Sequence, residues 1–252
     1  MALWSVFEFH LVSYKRVWRA STWSSFVLPL LTMLGFGLGV GSYVSGGVDG
    51  VRYLDWIVPG LMAQTAMQTA LGETSWPVLS KFEWIKTYLA QVAAPLRVAD
   101  VLGGQLAFVL FRVLIAVAAF LGVAELFGAA HNGWAVLAVP AAALTGLAVA
   151  TPMTAFSASI TTDSYLAIII RLGVVPMSLF SGVFFPLHLL PVGLQAVAWV
   201  LPLWHGVDLC RAATLGVALP VPILLVHLAV LAAWGGAGWA LALWRFRKRL
   251  VF

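Results

Sequence analysis

The sequence predicts an all-α integral membrane protein: six transmembrane helices, an N-terminal amphipathic interface helix, and a re-entrant helical hairpin between spans five and six. Three observations carry that expectation. Of 252 residues, 62% are hydrophobic and only 9% charged, where a soluble domain is roughly 45–50% apolar. Several apolar runs exceed the roughly 20 residues that cross a bilayer as a helix. Most Lys and Arg residues stand beside the ends of those runs, where membrane topology explains them. No linker or soluble-looking block interrupts the chain, so residues 1–252 are expected to form one membrane domain. The same placement accounts for the net charge of +5 without a basic face for nucleic acid, so none is expected as a partner.

In residues 1–20, Leu3, Phe7, Leu11, Tyr14 and Trp18 share a helical face opposite Glu8, Lys15, Arg16 and Arg19. A helix lying in the interface, apolar side down, has this pattern, and so does an amphipathic helix packed on protein. Glu8 and His10 interrupt the apolar core of a cleavable signal peptide, so insertion is expected to rely on the mature helices. Span one is expected at 22–44, with GxxxG patterns at Gly35 and Gly39 and at Gly37 and Gly41 that permit close helix contact. Span two follows at 55–80, with a bend expected at Pro59 and Gly60. The longest polar break comes next, at 81–97, where Lys81, Glu83, Lys86 and Arg97 flank a short helical run holding Thr87 and Leu89. Spans three to six are expected at 101–127, 134–160, 165–185 and 221–244, before the tail RFRKRLVF.

Basic residues orient the chain. A cytoplasmic N-terminus places Lys15, Arg16, Arg19, Lys81, Lys86, Arg97, Arg245, Arg247, Lys248 and Arg249 inside, against Arg52 and Arg211 outside. Both termini are therefore expected in the cytoplasm. A seventh span after span five would put the RFRKR tail outside, and the connection from Pro186 to Pro220 carries four prolines, Gln195, His205, Asp208 and Arg211. Residues 186–215 are instead expected to dip in from the outside and return. Irregular backbone at that depth is tolerated only where it is buried in protein or lines a wet cavity.

Several chemistries find no pattern. There is no HExxH or GxSxG, and His10, His131, His188, His205 and His227 fall in different elements, which leaves a membrane-embedded transferase the weakest alternative. Cys210 stands alone, allowing neither an intramolecular disulfide nor a Cys-based metal cluster, and is expected to be a small packing residue. No lysine sits in a GxxxxGK[ST] phosphate loop, so this chain is expected neither to bind a cofactor nor to hydrolyse ATP by that route. A secondary transporter or channel would keep ionisable residues within the membrane. Of Glu73, Arg112, Glu125 and Arg171, only Arg112 is placed deep, with no evident acid partner, as a structural residue or a candidate pathway contact.

The most specific stretches are SGVFFPLHLLP at Ser181–Pro191, VPGLMA at Val58–Ala63, and the P-L-x-H-x-V-D-L-x-R series formed by Pro202, Leu203, His205, Val207, Asp208, Leu209 and Arg211. With the interface helix and the polar loop after span two, they resemble the permease subunit of type-2 ATP-binding-cassette exporters over essentially the whole chain, nearest the nodulation-factor and daunorubicin exporter permeases. The resemblance implies a homodimer of permeases in a bacterial inner membrane, with two copies of a separate nucleotide-binding ATPase subunit that binds Mg-ATP on the cytoplasmic side. The coupling helix that docks on that ATPase would map to Lys81, Glu83, Lys86, Thr87, Leu89 and Arg97, and spans one, two and five would line the export path. Phe184 and Phe185, broken from the next segment by Pro186, would form an extracellular gate or else merely pack between helices. The return segment would run through His188, Pro191, Pro202, His205, Asp208 and Arg211. Short outer loops and no appended carbohydrate-binding domain favour an amphipathic cargo, a lipid-linked oligosaccharide, glycolipid or hydrophobic drug, over a long polysaccharide.

Overall fold

The computed structural model describes residues 2–16, 18–19, 27, 30–44, 46–129 and 132–251. Much of the inner half of the expected span one, and His131, lie outside them. The described elements are helical: α1 (Ala2–Lys15), α2 (Leu30–Ser42), α3 (Tyr53–Thr74), α4 (Trp76–Glu83), α5 (Thr87–Ala93), α6 (Val98–Leu126), α7 (Gly133–Ser157), α8 (Ser164–Phe180), α9 (Val192–Val200), α10 (Pro202–Leu215) and α11 (Val221–Leu250). Among the described residues, α6, α7 and α11 are long and apolar enough to cross a membrane. The other helices at expected spans are α2, α3 and α8, and both α2 and α8 contain a π-helical segment, at Met33–Gly39 and Ile170–Val174.

Helix α7 stands at the centre, packed on α3, α6, α10 and α11. Its buried face is made of small residues, including Ala142, Ala143, Gly146 and Ala150. In lipid no hydrophobic force drives helices together, so close backbone approach and van der Waals contact must do so. The closest approach is at Gly206 of α10, where any Cβ would overlap the Thr145 side chain of α7. On α2, the Gly37 and Gly41 face lies against Leu54 and Tyr53 at the start of α3, while Gly35 and Gly39 stay exposed.

Four expectations are corrected. First, α1 packs along α6, burying Val6 and His10. Phe7 and Tyr14 meet Phe111 edge-on at ring centroids 6.0 and 6.3 Å apart, so the face expected to rest on lipid lies in part on aromatic protein surface. Second, the segment expected as one span at 55–80 is divided: α3 ends at Thr74 and the break falls at Ser75 (φ −83, ψ −103). Pro77 then opens α4, at a position whose N–H would have no helical partner anyway. Third, α8 ends at Phe180, so Phe184 and Phe185 lie in the following turn rather than at a helix end. Fourth, the basic tail continues α11 as helix to Leu250, with Phe246 buried between Phe82 of α4 and Tyr88 of α5 at 4.8 and 5.0 Å.

Gly206→Val should destabilise the protein by about 1–3 kcal/mol or more, the usual cost of overpacking, as a lowered thermal midpoint in detergent. An unchanged midpoint would show that α7 and α10 are not in close contact.

Candidate functional site

Two polar clusters stand out, one near the α4–α5 connection and one near the turn after α8. The first centres on Gln105 of α6, whose side chain is fully buried. Its Oε1 accepts from Lys81 Nζ at 2.6 Å and from the Tyr88 hydroxyl at 3.1 Å, and its Nε2 donates to the Glu73 backbone carbonyl at 3.4 Å. Arg112, fourteen residues into α6 and therefore about 20 Å along it, donates from Nε to Glu73 Oε1 at 2.9 Å and lies 4.6 Å over the Tyr14 ring. The acid that Arg112 seemed to lack is thus Glu73 of α3. His10 joins from α1, its Nδ1 accepting from Lys81 Nζ at 3.4 Å. Burial, reinforced by the Lys81 charge, drops His10 to about 3, so the ring is neutral. Burial, opposed by Glu73, pulls Lys81 down to about 8, and burial also holds the Tyr88 phenol well above its ordinary range.

These bonds re-sort the expected coupling residues. Lys81 is half-buried, its Nζ bonded to Gln105. Glu83 is paired with Arg249 of α11, which also donates to the Ala158 and Ile160 carbonyls, both at 3.3 Å. Leu89 is half-buried against the core. Facing outward instead is the α4–α5 tip: Trp84 is 60% and Ile85 68% exposed, followed by exposed Lys86 in the left-handed region at φ 60. Thr87 is half-buried and starts α5, and exposed Arg97 precedes α6, its backbone N–H donating to Asp100 Oδ2 at 3.2 Å.

The second cluster holds the turn after α8. Gly60 of α3 lets the Val183 backbone approach so closely that a Cβ there would come within 2.9 Å of its carbonyl oxygen. Arg211 of α10 donates to the Gly182 carbonyl at 2.9 Å and stacks 4.3 Å over Trp56 of α3. Phe184 meets Phe36 of α2 at 5.4 Å, Phe185 is half-buried and Pro186 buried. His188 is exposed, 4.0 Å from Asp49, and Pro191 precedes α9.

Helix α9 ends at Val200, and its last carbonyls need donors. His205 Nε2 serves Trp199 at 2.8 Å, and Trp234 of α11 serves Val200 at 2.9 Å. The other His205 nitrogen faces His227 Nδ1 at 2.7 Å, and His227 Nε2 lies 3.0 Å from Asp208 Oδ2, an ion-pair contact rather than an aligned hydrogen bond. Two histidines that the sequence separates by element are therefore neighbours. Because a carbonyl only accepts, His205 Nε2 carries a hydrogen. Burial pulls His205 below the ordinary imidazole range. Cys210 is fully buried, its thiol pushed up to about 12 by burial, as a packing residue.

Sequence reading missed Gln105, Tyr88, Glu73 as a partner, Trp84, Ile85, Trp234 and Phe246. Pro77 was the available signal for the α3–α4 break. The contacts between helices had none, since periodicity gives a face and not its neighbour.

Residues 1–215 match the family model described as ABC-2 type transporter. The chain is also similar to proteins named Nodulation protein J. That of Rhizobium leguminosarum bv. viciae is 30% identical over 247 residues, covering 98% of this chain and 94% of the relative. That of Rhizobium meliloti (strain 1021) is 29% identical over 249 residues, covering 98% and 93%.

The Lys81 environment makes a signed prediction. Between about pH 8 and 10.5 the folded amine is neutral while the unfolded one is still charged, so the unfolded state binds more protons and stability rises with pH. Against Lys81→Met, which does not titrate, the wild type should gain up to about 3 kcal/mol over that window. Parallel stability curves for the two proteins in detergent would contradict the buried placement.

Proposed function

The chain belongs to the ABC-2 type transporter family, and on that premise we propose that it works as a homodimer, with two copies of a separate ATPase, to export an amphipathic substrate. As a multi-pass permease it is the membrane subunit of a transporter and not a catalytic enzyme. In this reading it resides in a bacterial inner membrane with both termini in the cytoplasm, and Mg-ATP is bound by the partner. The cargo is a lipid-linked oligosaccharide, glycolipid or hydrophobic drug. The observation that carries the reading is the α4–α5 tip: Trp84, Ile85 and Lys86 face outward while the same elements are bonded inward to α1, α6 and α11. A partner docked on that tip has a mechanical hold on the membrane helices.

At the other end, α9 and α10 form the proposed re-entrant hairpin. At about 1.5 Å per residue, the 14 residues of α10 are too short to cross a bilayer. The hairpin tip at Val200 is bonded to Trp234, thirteen residues into α11. The contact between Phe184 and Phe36 then serves as an apolar seal that excludes water without a charged lock.

Trp84→Asp combined with Ile85→Asp should leave thermal stability near wild type, because both side chains are exposed. It should weaken ATPase binding by about 2 kcal/mol or more, roughly thirtyfold, as loss of an interface hot spot does. Unchanged affinity in a pull-down, or transport by the purified chain without any ATPase, would overturn the reading. For the seal, Phe184→Ala should make liposomes leak small solutes with dimer assembly retained. A destabilised protein that stays tight would show that Phe184 only packs.

A further inference from the structure

A groove runs along the C-terminal half of α11 and ends at a cation. It is a cavity of about 540 Å³ between α3, α7, α8 and α11, within the roughly 300–1,000 Å³ that ligand sites occupy. Trp234 and Arg245 of α11 both line it, so it extends about 16 Å along that helix. One leaflet's share of a hydrocarbon core of about 30 Å is nearly the same, about 15 Å. The connection between α9 and α10 closes the far end with Leu201 and Pro202, beside Trp234, whose indole N–H is spent on the Val200 carbonyl. Gly173 of α8 and Leu241 of α11 line the groove and are exposed, so it opens sideways, where acyl chains lie.

Along that depth the walls suit a hydrocarbon chain. Met153 and Phe156 come from α7, Val174 from α8, and the Ser159 hydroxyl is spent on the Ala155 carbonyl of its own helix at 2.6 Å. Arg245 is the exception, at the end that the distribution of basic residues places in the cytoplasm. Its Nε is buried and has no hydrogen-bond partner among the described residues, and leaving a charged donor unmet is costly. The Arg245 guanidinium lies 4.5 Å from the Trp244 ring centroid and the Lys248 ammonium 5.6 Å from the same ring. Neither cation is paired with an acid among the described residues, and Glu83, the acid that reaches this end of α11, is held by Arg249. Two uncompensated cations at the mouth of an apolar slot one leaflet deep match a phosphate with an acyl chain attached, since a guanidinium pairs with phosphate through two parallel N–H bonds.

We propose that this groove holds an anionic phospholipid of the cytoplasmic leaflet as a resident, its phosphate on Arg245 and Lys248 and one acyl chain lying between α7, α8 and α11. Between its ends the groove offers a head group nothing to hold, so the occupant stays and is not cargo. The chain fills the space beside the π-helical segment Ile170–Val174 and braces α8 against α7. The site stands or falls independently of the exporter reading. The test uses the full chain, delipidated in a neutral maltoside detergent, with dioleoyl phosphatidylglycerol, dioleoyl phosphatidylcholine and inorganic phosphate as probes. Native mass spectrometry reads the lipid bound per chain, and a thermal scan reads stability. Phosphatidylglycerol should bind at about one per chain and about tenfold more tightly than phosphatidylcholine, whose own cation opposes Arg245 and Lys248. Arg245→Gln should weaken that binding about tenfold. Gly173→Leu should weaken it about as much by filling the groove, from a position where a Cβ meets only Ile169 of its own helix, at 3.5 Å. Both variants should keep the lipid-free thermal midpoint. Equal binding of the two lipids, or phosphatidylglycerol binding unaltered by Arg245→Gln, would show annular lipid only. Unaltered binding to Gly173→Leu would put the lipid outside the groove, and competition by inorganic phosphate would show a free-anion site. A lipid-free dimer that takes up no phosphatidylglycerol would assign the groove to a second copy. Each of these results overturns the proposal, and if a variant misfolds, the comparison of the two lipids on the wild type decides it alone.

Discussion

The buried amide of Gln105 is the interaction on which the inner half of the molecule depends. Hydrocarbon offers no hydrogen bonds, so every polar group taken into the membrane must find its partner in the chain. Gln105 satisfies Lys81 of α4, Tyr88 of α5 and the Glu73 carbonyl of α3 from a single position on α6. Removing it would leave several buried groups unmet at about 1–3 kcal/mol each. The same constraint draws in His10 and, through Glu73, Arg112. Two short helices, two long helices and the N-terminal helix are thereby held as one contiguous body, the kind of network through which coupling travels.

The opposite end solves the same problem with different residues. There His205 and Trp234 supply the donors that the terminal carbonyls of α9 lack. Asn132 donates to the Thr214 carbonyl at 2.6 Å, and Arg52 spans Asp55 and the Gly128 carbonyl. Between these two bonded ends, α7 provides a closely packed shaft. The elements left more loosely held are α2 and α8, the two with π segments, which are frequent at functional sites. Along α8, Ile168, Leu172, Val175 and Leu179 are exposed at helical spacing. A rigid frame with two looser helices suits a permease whose frame transmits and whose loose helices open.

Much of this was legible in the sequence because hydropathy reports spans directly: α6, α7 and α11 begin within three residues of their expected starts. The short helix α5 was legible in the polar break at 81–97, and the connection before α11 in its prolines and the basic tail. What escaped was pairing in three dimensions. Glu73 and Arg112 are 39 residues apart and His205 and His227 are 22 apart, and no helical period links either pair. Lys81 read as a surface cation because it sits in a polar stretch, yet the turn of α4 aims it inward.

The central claim is that the Gln105 network carries ATPase motion into the membrane helices, and Gln105→Leu measures it most directly in the assembled complex. ATPase affinity should be unchanged, because the docking tip lies elsewhere, while export-linked ATP hydrolysis should fall about tenfold, equivalent to about 1.4 kcal/mol of lost coupling. Wild-type hydrolysis and export in a stable Gln105→Leu complex would contradict the account.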